Sequence, residues 1–293
     1  MAEIHSLKWT AGSHKGAPRI HALHTGLVRV RNAFRSRQGG PGPLSRLRIL
    51  LDSTFTPWLP IWAWLIEHPE GDILIDTGER AAVMQPDYFR AAGSSSAWLY
   101  QRLFEFNVED KDEIGSRLAA LNRTPRSIRW VILTHLHVDH CDGLHHLPNS
   151  EVLVNEMEWQ HPSFSLPQLY PSWFKPTLFQ FNKDYLDGFD RAYRITTDGD
   201  VLVLPTPGHT YHHTSVLFRH RGEGICYLFA GDAVYDQAQL LTGEQAGAHV
   251  DYGHSVMTYK AIKTYAKRNP TVLLPSHDPL SGLRLRTRDV LGF

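Results

Sequence analysis

The feature of this sequence that most constrains its fold is a cluster of metal-type ligands directly after a short apolar segment. Residues 130–133 read Trp-Val-Ile-Leu, which predicts a buried strand, and His135, His137, Asp139 and His140 follow it. Side chains two residues apart in an extended chain point to one side, so His135 and His137 can face a common cavity. Asp139 and His140 follow on the turn and can face that cavity from another side. A strand end holds ligands rigidly, and the pattern therefore predicts a metal site.

Three later predicted strands end in a residue of the same kind. Residues 201–204, 225–230 and 271–274 run into His209, Asp232 and His277, respectively. A single histidine after a strand is commonly structural, and the chain contains 18 His, so a solvated or structural cluster is the alternative. Strand-end residues that complete a short cluster favour metal binding instead.

The combined set of seven nitrogen and carboxylate ligands exceeds the three protein ligands that one catalytic zinc needs, which predicts two divalent metal ions. The set contains no thiolate, which argues against a structural zinc site. Zinc fits best, and iron, cobalt and manganese also accept such ligands. Cys141 follows His140 directly, but the set is complete without it, so we expect it to be neither a ligand nor a nucleophile.

Composition limits the class of protein. Lys+Arg and Asp+Glu both number 30 in 293 residues, and this balance disfavours nucleic acid or an anionic membrane as a partner. The arginines between residues 29 and 48 are interpreted as a solvated loop, with a binding patch as the alternative. Two cysteines do not make a disulfide scaffold. The first residues lack the pattern of a signal peptide, and no segment approaches the ~18 apolar residues of a membrane span, so we expect a soluble, cytoplasmic protein.

The remaining pattern predicts one α/β domain over residues 1–293. We predict two short strands within residues 19–30, a strand at 47–51, a hairpin over 60–78 and a helix at 255–267. Residues 156–195 are rich in aromatic side chains without a clear period. They are predicted to be a loop-rich insertion of functional importance.

These motifs resemble those of the metallo-β-lactamase superfamily. The resemblance covers about residues 60–278 and rests on His-x-His-x-Asp-His, Pro-Gly-His-Thr at 207–210, Gly-Asp at 231–232 and Ser-His at 276–277, in the family order. It implies a four-layer αββα sandwich with the metals at one edge, between the sheets. It also implies the ligands of each metal: His135, His137 and His209 for one, Asp139, His140 and His277 for the other, with Asp232 bridging. Asp76, in an Asp-Thr-Gly element, would orient a ligand histidine from behind.

Within the superfamily the chain resembles the N-acyl-homoserine lactonases. Tyr235 stands three residues after the bridging aspartate, as it does in those enzymes, and His213 matches their Pro-Gly-His-x-x-x-His-x-Ser stretch. Asp232 excludes the true β-lactamases that have a cysteine ligand there. The resemblance implies that a metal-bridging hydroxide opens the lactone ring of a small-molecule substrate. The chain departs from many relatives at Cys141-Asp142-Gly143 and in the aromatic insertion, so the acyl-chain pocket cannot be carried over.

Two residues are candidates for chemistry and three for the substrate pocket. Asp139 can collect the proton of the attacking water, and the Tyr235 hydroxyl can stabilise the oxyanion, unless it is only a core tyrosine. The tentative pocket residues are Trp62, Trp64 and Trp173, for which core packing is the alternative.

Other functions remain open from the sequence. The same fold could open another lactone, such as a pyridoxine-derived one, or cleave a thioester or phosphoester. Arg284, Arg286 and Arg288 keep an anionic thioester in consideration. A metal-dependent nuclease and a metal-binding protein without catalysis are further alternatives. A homodimer is compatible with the sequence.

Overall fold

The computed structural model describes residues 4–7, 19–37, 43–220 and 222–293. The strands in this part of the chain are β1 (Ile4–Leu7), β2 (Arg19–Val30), β3 (Leu59–Glu67), β4 (Asp72–Ile75), β5 (Phe104–Asn107), β6 (Ile128–Ile132), β7 (Glu151–Asn155), β8 (Thr177–Phe179), β9 (Asn182–Leu186), β10 (Phe189–Arg194), β11 (Val201–Pro205), β12 (Thr214–His220), β13 (Ile225–Gly231) and β14 (Thr271–Pro275). The α-helices are α1 (Asn32–Arg35), α2 (Pro43–Leu51), α3 (Ser94–Leu103), α4 (Ile114–Ala120), α5 (Val138–Cys141), α6 (Glu156–Gln160), α7 (Gln237–Thr242), α8 (Tyr252–Arg268) and α9 (Ser281–Thr287). Short 3₁₀ turns cover Ala81–Met84, Tyr88–Ala92, Pro125–Ser127, Asp142–His146 and Pro167–Leu169.

The strands form two mixed sheets. The first has the order β1-β2-β3-β4-β6-β7-β8, with β5 paired to β2, and the second has the order β14-β13-β12-β11-β10-β9. Strands β4, β6, β7 and β8 are parallel. Strands β11, β13 and β14 also share one direction, because β12 lies antiparallel between β11 and β13, and β13 is parallel to β14. The carboxyl ends of the strands that precede the candidate ligands therefore meet at one edge of each sheet.

Alternating side chains build the core in layers. Ile73 and Ile75 of β4 pack with Tyr227 and Phe229 of β13 between the two sheets. The intervening Leu74 belongs to the cluster that covers the outer face of the first sheet together with α4. Apolar residues of α8 cover the outer face of the second sheet in the same way. Since strand side chains alternate between faces, this arrangement gives the four layers αββα, and the predicted fold class is confirmed.

Two predicted secondary structures are wrong. Residues 19–30 form the single strand β2, in which the register shifts between His24 and Leu27 opposite β3. The Thr-Gly pair there belongs to a bulge, with Gly26 at φ +128°, and not to a hairpin turn. Residues 47–51 lie in helix α2 and not in a strand. A five-residue apolar window cannot distinguish the two, because the helical spacing becomes visible only when Leu44 is included.

The segment 156–195 is also more regular than predicted. It contains α6 and three strands, of which β8 extends the first sheet while β9 and β10 extend the second. Its aromatic residues stabilise these edges: the rings of Phe179 and Tyr193 stack with their centroids 4.6 Å apart. The loop-rich insertion is therefore largely an addition of edge strands to both sheets.

None of the helices in the described residues is long and apolar enough to cross a membrane.

Candidate metal centre

The seven predicted ligands lie together at the edge where both sheets end. They follow strands of both sheets, and their side chains form three overlapping groups whose ligand atoms lie within 4.8 Å of one another. The groups are His135, His137 and His209; His135, His140 and Asp232; and Asp139, His140 and His277. Each group could hold a metal ion.

Asp232 lies between the other ligands. Its Oδ1 is 3.3 Å from Nε2 of His140 and 3.3 Å from Nε2 of His277, while its Oδ2 is 3.4 Å from Nε2 of His209. On one side of it, His137 Nδ1 and His209 Nε2 are 3.0 Å apart. On the other side, Oδ2 of Asp139 is 3.4 Å from Nε2 of His277. One carboxylate therefore contacts histidines of both outer groups.

Hydrogen bonds fix which nitrogen faces the cluster in four of the five histidines. His137 Nε2 donates to the Ser163 carbonyl oxygen at 3.0 Å, and His277 Nδ1 donates to the Pro60 carbonyl oxygen at 2.9 Å. His140 Nδ1 donates to Asp76 Oδ2 at 2.8 Å, and His135 Nδ1 is 3.0 Å from Thr134 Oγ1. The opposite nitrogen of each of these four rings is the one that faces the cluster.

The atoms at the centre of the cluster fit a metal. His135 Nε2, His140 Nε2 and Asp232 Oδ1 are buried and have no hydrogen-bond partner among the described residues. Leaving buried polar atoms unpaired costs about 1–3 kcal/mol each, which a bound cation would remove. The imidazole and carboxylate donors are those that zinc and its neighbours in the first transition row accept.

Asp76 holds the cluster from behind. Its carboxylate accepts hydrogen bonds from the Thr134 amide at 2.8 Å, the Thr134 hydroxyl at 2.9 Å and His140 Nδ1 at 2.8 Å. The residue has φ +55°, in the left-handed region, and is buried. Non-glycine residues adopt this conformation where the surrounding contacts require it. Asp76 thus orients one ligand directly and the His135 loop through Thr134.

His213 holds the Asp232 backbone. Its Nε2 accepts a hydrogen bond from the Asp232 amide at 3.1 Å, and its Nδ1 is 2.9 Å from Thr206 Oγ1. Burial lowers the pKa of His213 to about 3, so the ring is neutral near pH 7. A Cβ at residue 231 would lie 2.7 Å from His213 Nε2, so glycine is required there for this contact. Asp76 and His213 therefore both lie behind the cluster.

The charges within the cluster stabilise one another. Burial lowers the pKa of His135 and His209 well below the usual value. Burial also acts against protonation of His140, but the carboxylates of Asp232 and Asp76 outweigh it and raise its pKa. Conversely, His277 and His140 outweigh burial and lower the pKa of Asp232. The Asp232 carboxylate is consequently anionic, as a metal ligand needs to be.

A cavity of about 690 Å³ opens directly onto the cluster. His137, Asp139, His209, Asp232 and His277 form one end of its wall. Most of the remaining wall is apolar and comes from β2, the helices α1 to α3 and β5: Val30, Phe34, Ile49, Leu50, Leu99, Leu103, Phe104 and Phe106. Such a cavity has the size and character of a small-molecule site.

Tyr235 also lines this cavity and stacks on His277 with 5.7 Å between the ring centroids. Burial and the nearby Asp232 carboxylate raise the pKa of its hydroxyl well above the usual value. The hydroxyl is therefore protonated near pH 7 and can donate a hydrogen bond. Cys141 is buried, and its Sγ is 3.9 Å from the Leu136 carbonyl oxygen, outside the three ligand groups.

The structure places the three tryptophans away from the cavity, which corrects the tentative pocket assignment. Trp62 and Trp64 are buried in the core between the sheets, and Trp62 Nε1 donates to the Asp278 carbonyl oxygen at 3.0 Å. Trp173 packs on the outer face of the first sheet. Alternation along β3 puts both strand tryptophans on the inter-sheet face, which sequence alone could not distinguish from a pocket face. The insertion reaches the cavity through Phe164 instead.

The basic stretch at residues 29–48 is also placed differently from the prediction. It includes the end of β2, α1 and part of α2, and both Arg37 and Arg46 line the cavity. It is therefore not simply a solvated loop.

Two residues near the site were missed by sequence reasoning. His249 lines the cavity beside His209. Glu158 is buried in α6 and accepts hydrogen bonds from Thr210 Oγ1 at 2.7 Å and from the Leu136 amide at 3.4 Å. Glu158 thus links the two loops that carry His135, His137 and His209. Neither residue belongs to a sequence motif, and only their tertiary contacts reveal them.

The fold and the site together define an αββα protein with a cluster of histidines and aspartates that could bind metal. The metallo-beta-lactamase superfamily model matches residues 56–277. The chain belongs to the metallo-beta-lactamase superfamily.

Similar proteins with described activities are lactonases. The chain is 26% identical over 231 residues to the N-acyl homoserine lactonase AttM of Rhizobium radiobacter, which covers 75% of this chain and 82% of AttM. It is 25% identical over 245 residues to an N-acyl homoserine lactonase of Bacillus cereus, covering 79% and 88% of the two chains.

Solved structures share the fold. An N-acyl homoserine lactone hydrolase with the product N-hexanoyl-L-homoserine at its catalytic metal center superposes with a TM-score of 0.72 at 19% identity, over 93% of this chain and 98% of that one. AidC, a dizinc quorum-quenching lactonase, gives a TM-score of 0.64 at 15% identity over 96% and 92% of the chains.

Proposed function

We propose that this protein is a metal-dependent hydrolase that opens the lactone ring of N-acyl homoserine lactones. The observation that carries the proposal is the seven-ligand cluster at one end of a largely apolar cavity. A lactone with an apolar tail needs both parts: a metal centre for the ring and an apolar wall for the tail. The activities of the relatives support the same substrate class.

We propose two metals per chain, with zinc as the first candidate and iron, cobalt or manganese as alternatives. The ligands would be His135, His137 and His209 for one ion and Asp139, His140 and His277 for the other, with Asp232 shared between them. When bound, such a pair supplies a hydroxide nucleophile at neutral pH and polarises a carbonyl group.

The roles of the chain's own residues follow from their positions on the cavity wall. The protonated Tyr235 hydroxyl donates to the substrate carbonyl oxygen and binds it more strongly as negative charge develops there. Asp139, an anion at the same end of the cavity, accepts a proton from the attacking water and passes it to the departing alkoxide. The apolar residues of α2, α3 and β5 take up the acyl chain and exclude water from it.

Features of the chain count against the alternatives. Arg284 pairs with Asp278 at 2.7 Å, Arg288 pairs with Glu223 at 3.1 Å, and none of the three C-terminal arginines lines the cavity. They are therefore poorly placed to bind an anionic thioester. The neutral charge balance counts against a nuclease.

The test is hydrolysis by metal-replete protein, with chelated protein as the control. The substrates are N-hexanoyl and N-decanoyl homoserine lactone, an unsubstituted lactone, an aryl thioester and a phosphodiester. We expect metal-dependent turnover that is fastest on the homoserine lactones. Turnover of the thioester or phosphodiester with no lactone opening would contradict the proposal, and so would bound metal with no turnover of any substrate.

A further inference from the structure

Phe164 stands at a position that is unfavourable for a phenylalanine on two counts. Its backbone has φ +57°, in the left-handed region that bulky residues rarely adopt. Its side chain is 58% exposed, so the ring gains little from burial in the folded chain. Glycine or asparagine would adopt this backbone more readily and would leave less apolar surface in water. The stability of the fold therefore does not explain a phenylalanine here.

Hydrogen bonds on both sides of the ring fix its backbone. The Ser163 carbonyl oxygen accepts from Nε2 of the ligand His137 at 3.0 Å, and the Phe164 carbonyl oxygen accepts from the Tyr100 hydroxyl at 2.6 Å. Tyr100, in α3, and Leu166 are buried in one apolar cluster. Such surrounding contacts can hold a residue in a strained conformation. They place Phe164 one residue away from a direct contact with the metal centre.

The ring of Phe164 lines the cavity onto which the metal centre opens. Its neighbour Ser163 bonds a ligand histidine, so the ring borders the metal end of this cavity, whereas α2 contributes to the apolar wall. An exposed ring on a cavity wall becomes buried when an apolar group occupies the cavity. Both the strain and the exposure are then explained by the complex with a ligand.

We propose that Phe164 determines substrate specificity by packing its ring on the first methylenes of the acyl chain, and so favours lactones with an apolar tail. With the lactone carbonyl at the metal centre, the carbons of the acyl chain nearest to the lactone lie at the metal end of the cavity, which Phe164 borders. The inference rests on the proposed lactonase function and deepens it, because it names a residue that sets the substrate preference.

The experiment compares Phe164→Asn, which suits the left-handed backbone but has no apolar ring, with Phe164→Leu, which keeps an apolar side chain. Each variant is assayed on N-hexanoyl homoserine lactone and on N-acetyl homoserine lactone, whose tail is a single methyl group. We expect Phe164→Asn to lower kcat/KM roughly ten-fold on the hexanoyl substrate, mainly through KM, and by less than about two-fold on the acetyl substrate. Phe164→Leu should retain most of the preference for the longer tail.

The melting temperature separates this role from a structural one. Phe164→Asn should melt at or above the temperature of the wild type, because it removes an exposed ring and suits the backbone better. A residue that served the fold would instead destabilise the protein when its ring is removed. Metal content is measured in parallel for each variant.

Phe293→Asn is the matched control, since Phe293 is 56% exposed and does not line the cavity. This variant should leave both rates unchanged. Equal losses of Phe164→Asn on both substrates, or loss of its metal, would overturn the inference and leave the proposed function intact. So would a lower melting temperature with an unchanged substrate preference. If the metal-replete wild-type protein opens neither lactone, the proposed function fails, and the inference fails with it.

Discussion

At the scale of single residues, Tyr235 offers the sharpest test of the proposed lactonase chemistry. Its ring stacks on His277, and its hydroxyl has a raised pKa because of burial and the Asp232 carboxylate. Removing an oxyanion donor typically costs about 2.7–4 kcal/mol, and less where a metal shares the charge. We therefore expect Tyr235→Phe to lower kcat on a homoserine lactone roughly ten-fold or more, with metal content and melting temperature unchanged. If this variant turns over the lactone at the wild-type rate, the Tyr235 hydroxyl has no catalytic role and the ring serves only in packing.

Asp232 is the second residue that allows a sharp test. Its carboxylate contacts His140, His209 and His277, which belong to both proposed metal sites. Asp232→Ala should lower the occupancy of both sites, whereas Asp139→Ala should mainly lower one, as measured by elemental analysis after reconstitution. A wild-type protein that saturates at one equivalent would contradict the dinuclear assignment.

Sequence reasoning worked best for residues whose position follows from the end of a strand. The seven cluster residues follow short apolar segments that were correctly predicted as buried strands, and the ends of such strands converge at one edge of a sheet. His249 and Glu158 could not be predicted in this way. Their positions depend on burial and on hydrogen bonds to neighbouring loops, which are products of tertiary contacts.

At the scale of elements, α2 and α3 contribute much of the apolar cavity wall. Ile49→Ala removes part of that wall, so the terminal methylenes of a long acyl chain lose contacts worth about 0.8 kcal/mol each. We expect kcat/KM to fall several-fold more for N-decanoyl than for N-butanoyl homoserine lactone. Trp173→Ala is the control, since this residue lies outside the cavity and should affect both substrates equally. Equal effects of Ile49→Ala on both substrates would place the acyl chain elsewhere.

Helix α6 connects two ligand loops through Glu158. Burial raises the pKa of this carboxyl to about 7, above its usual 4.5. A raised acid pKa means that the folded state holds the proton more tightly, so the stabilisation is complete below about pH 4.5 and is lost as pH rises through about 7. Glu158→Gln cannot ionise. The melting temperature of the variant, relative to that of the wild type, should therefore rise as the pH increases from about 5 to about 8. Parallel melting curves across this range would show that Glu158 does not titrate there.

The elements themselves were predicted unevenly. The buried strands were predicted correctly, because each is a short apolar segment followed by polar or turn-forming residues; they are β4, β6, β11, β13 and β14. Helix α2 was not, because its apolar positions face a cavity and solvent and give no continuous stripe; Leu47 and Leu51 are 50% and 70% exposed. Part of the apolar cavity wall is thus built from a segment whose sequence pattern is weak.

At the scale of the whole molecule, the metal centre joins the two sheets. Four ligands follow β6 of the first sheet, and three follow strands of the second. Metal that binds only the folded chain stabilises it by mass action, by about 4 kcal/mol at a thousand times its Kd. Chelation should therefore lower the melting temperature by several degrees and abolish lactone opening. Titration of metal into the chelated protein should restore both at two equivalents, with the melting temperature measured by calorimetry. A melting temperature that does not change with metal would contradict the proposal that bound metal links the two sheets.

The order of the strands along the chain has a separate consequence. Strands β1 to β8 form the first sheet and β9 to β14 the second, so the sequence divides between them at residues 180–181. A polypeptide cut there would give two fragments, each with a complete sheet and an incomplete set of ligands. Neither fragment would contain all seven cluster residues, and helix α9 of the second fragment packs on β1 of the first. Metal bound by ligands from both fragments would hold them together reversibly. The extent of their reassembly would therefore depend on the concentration of free metal.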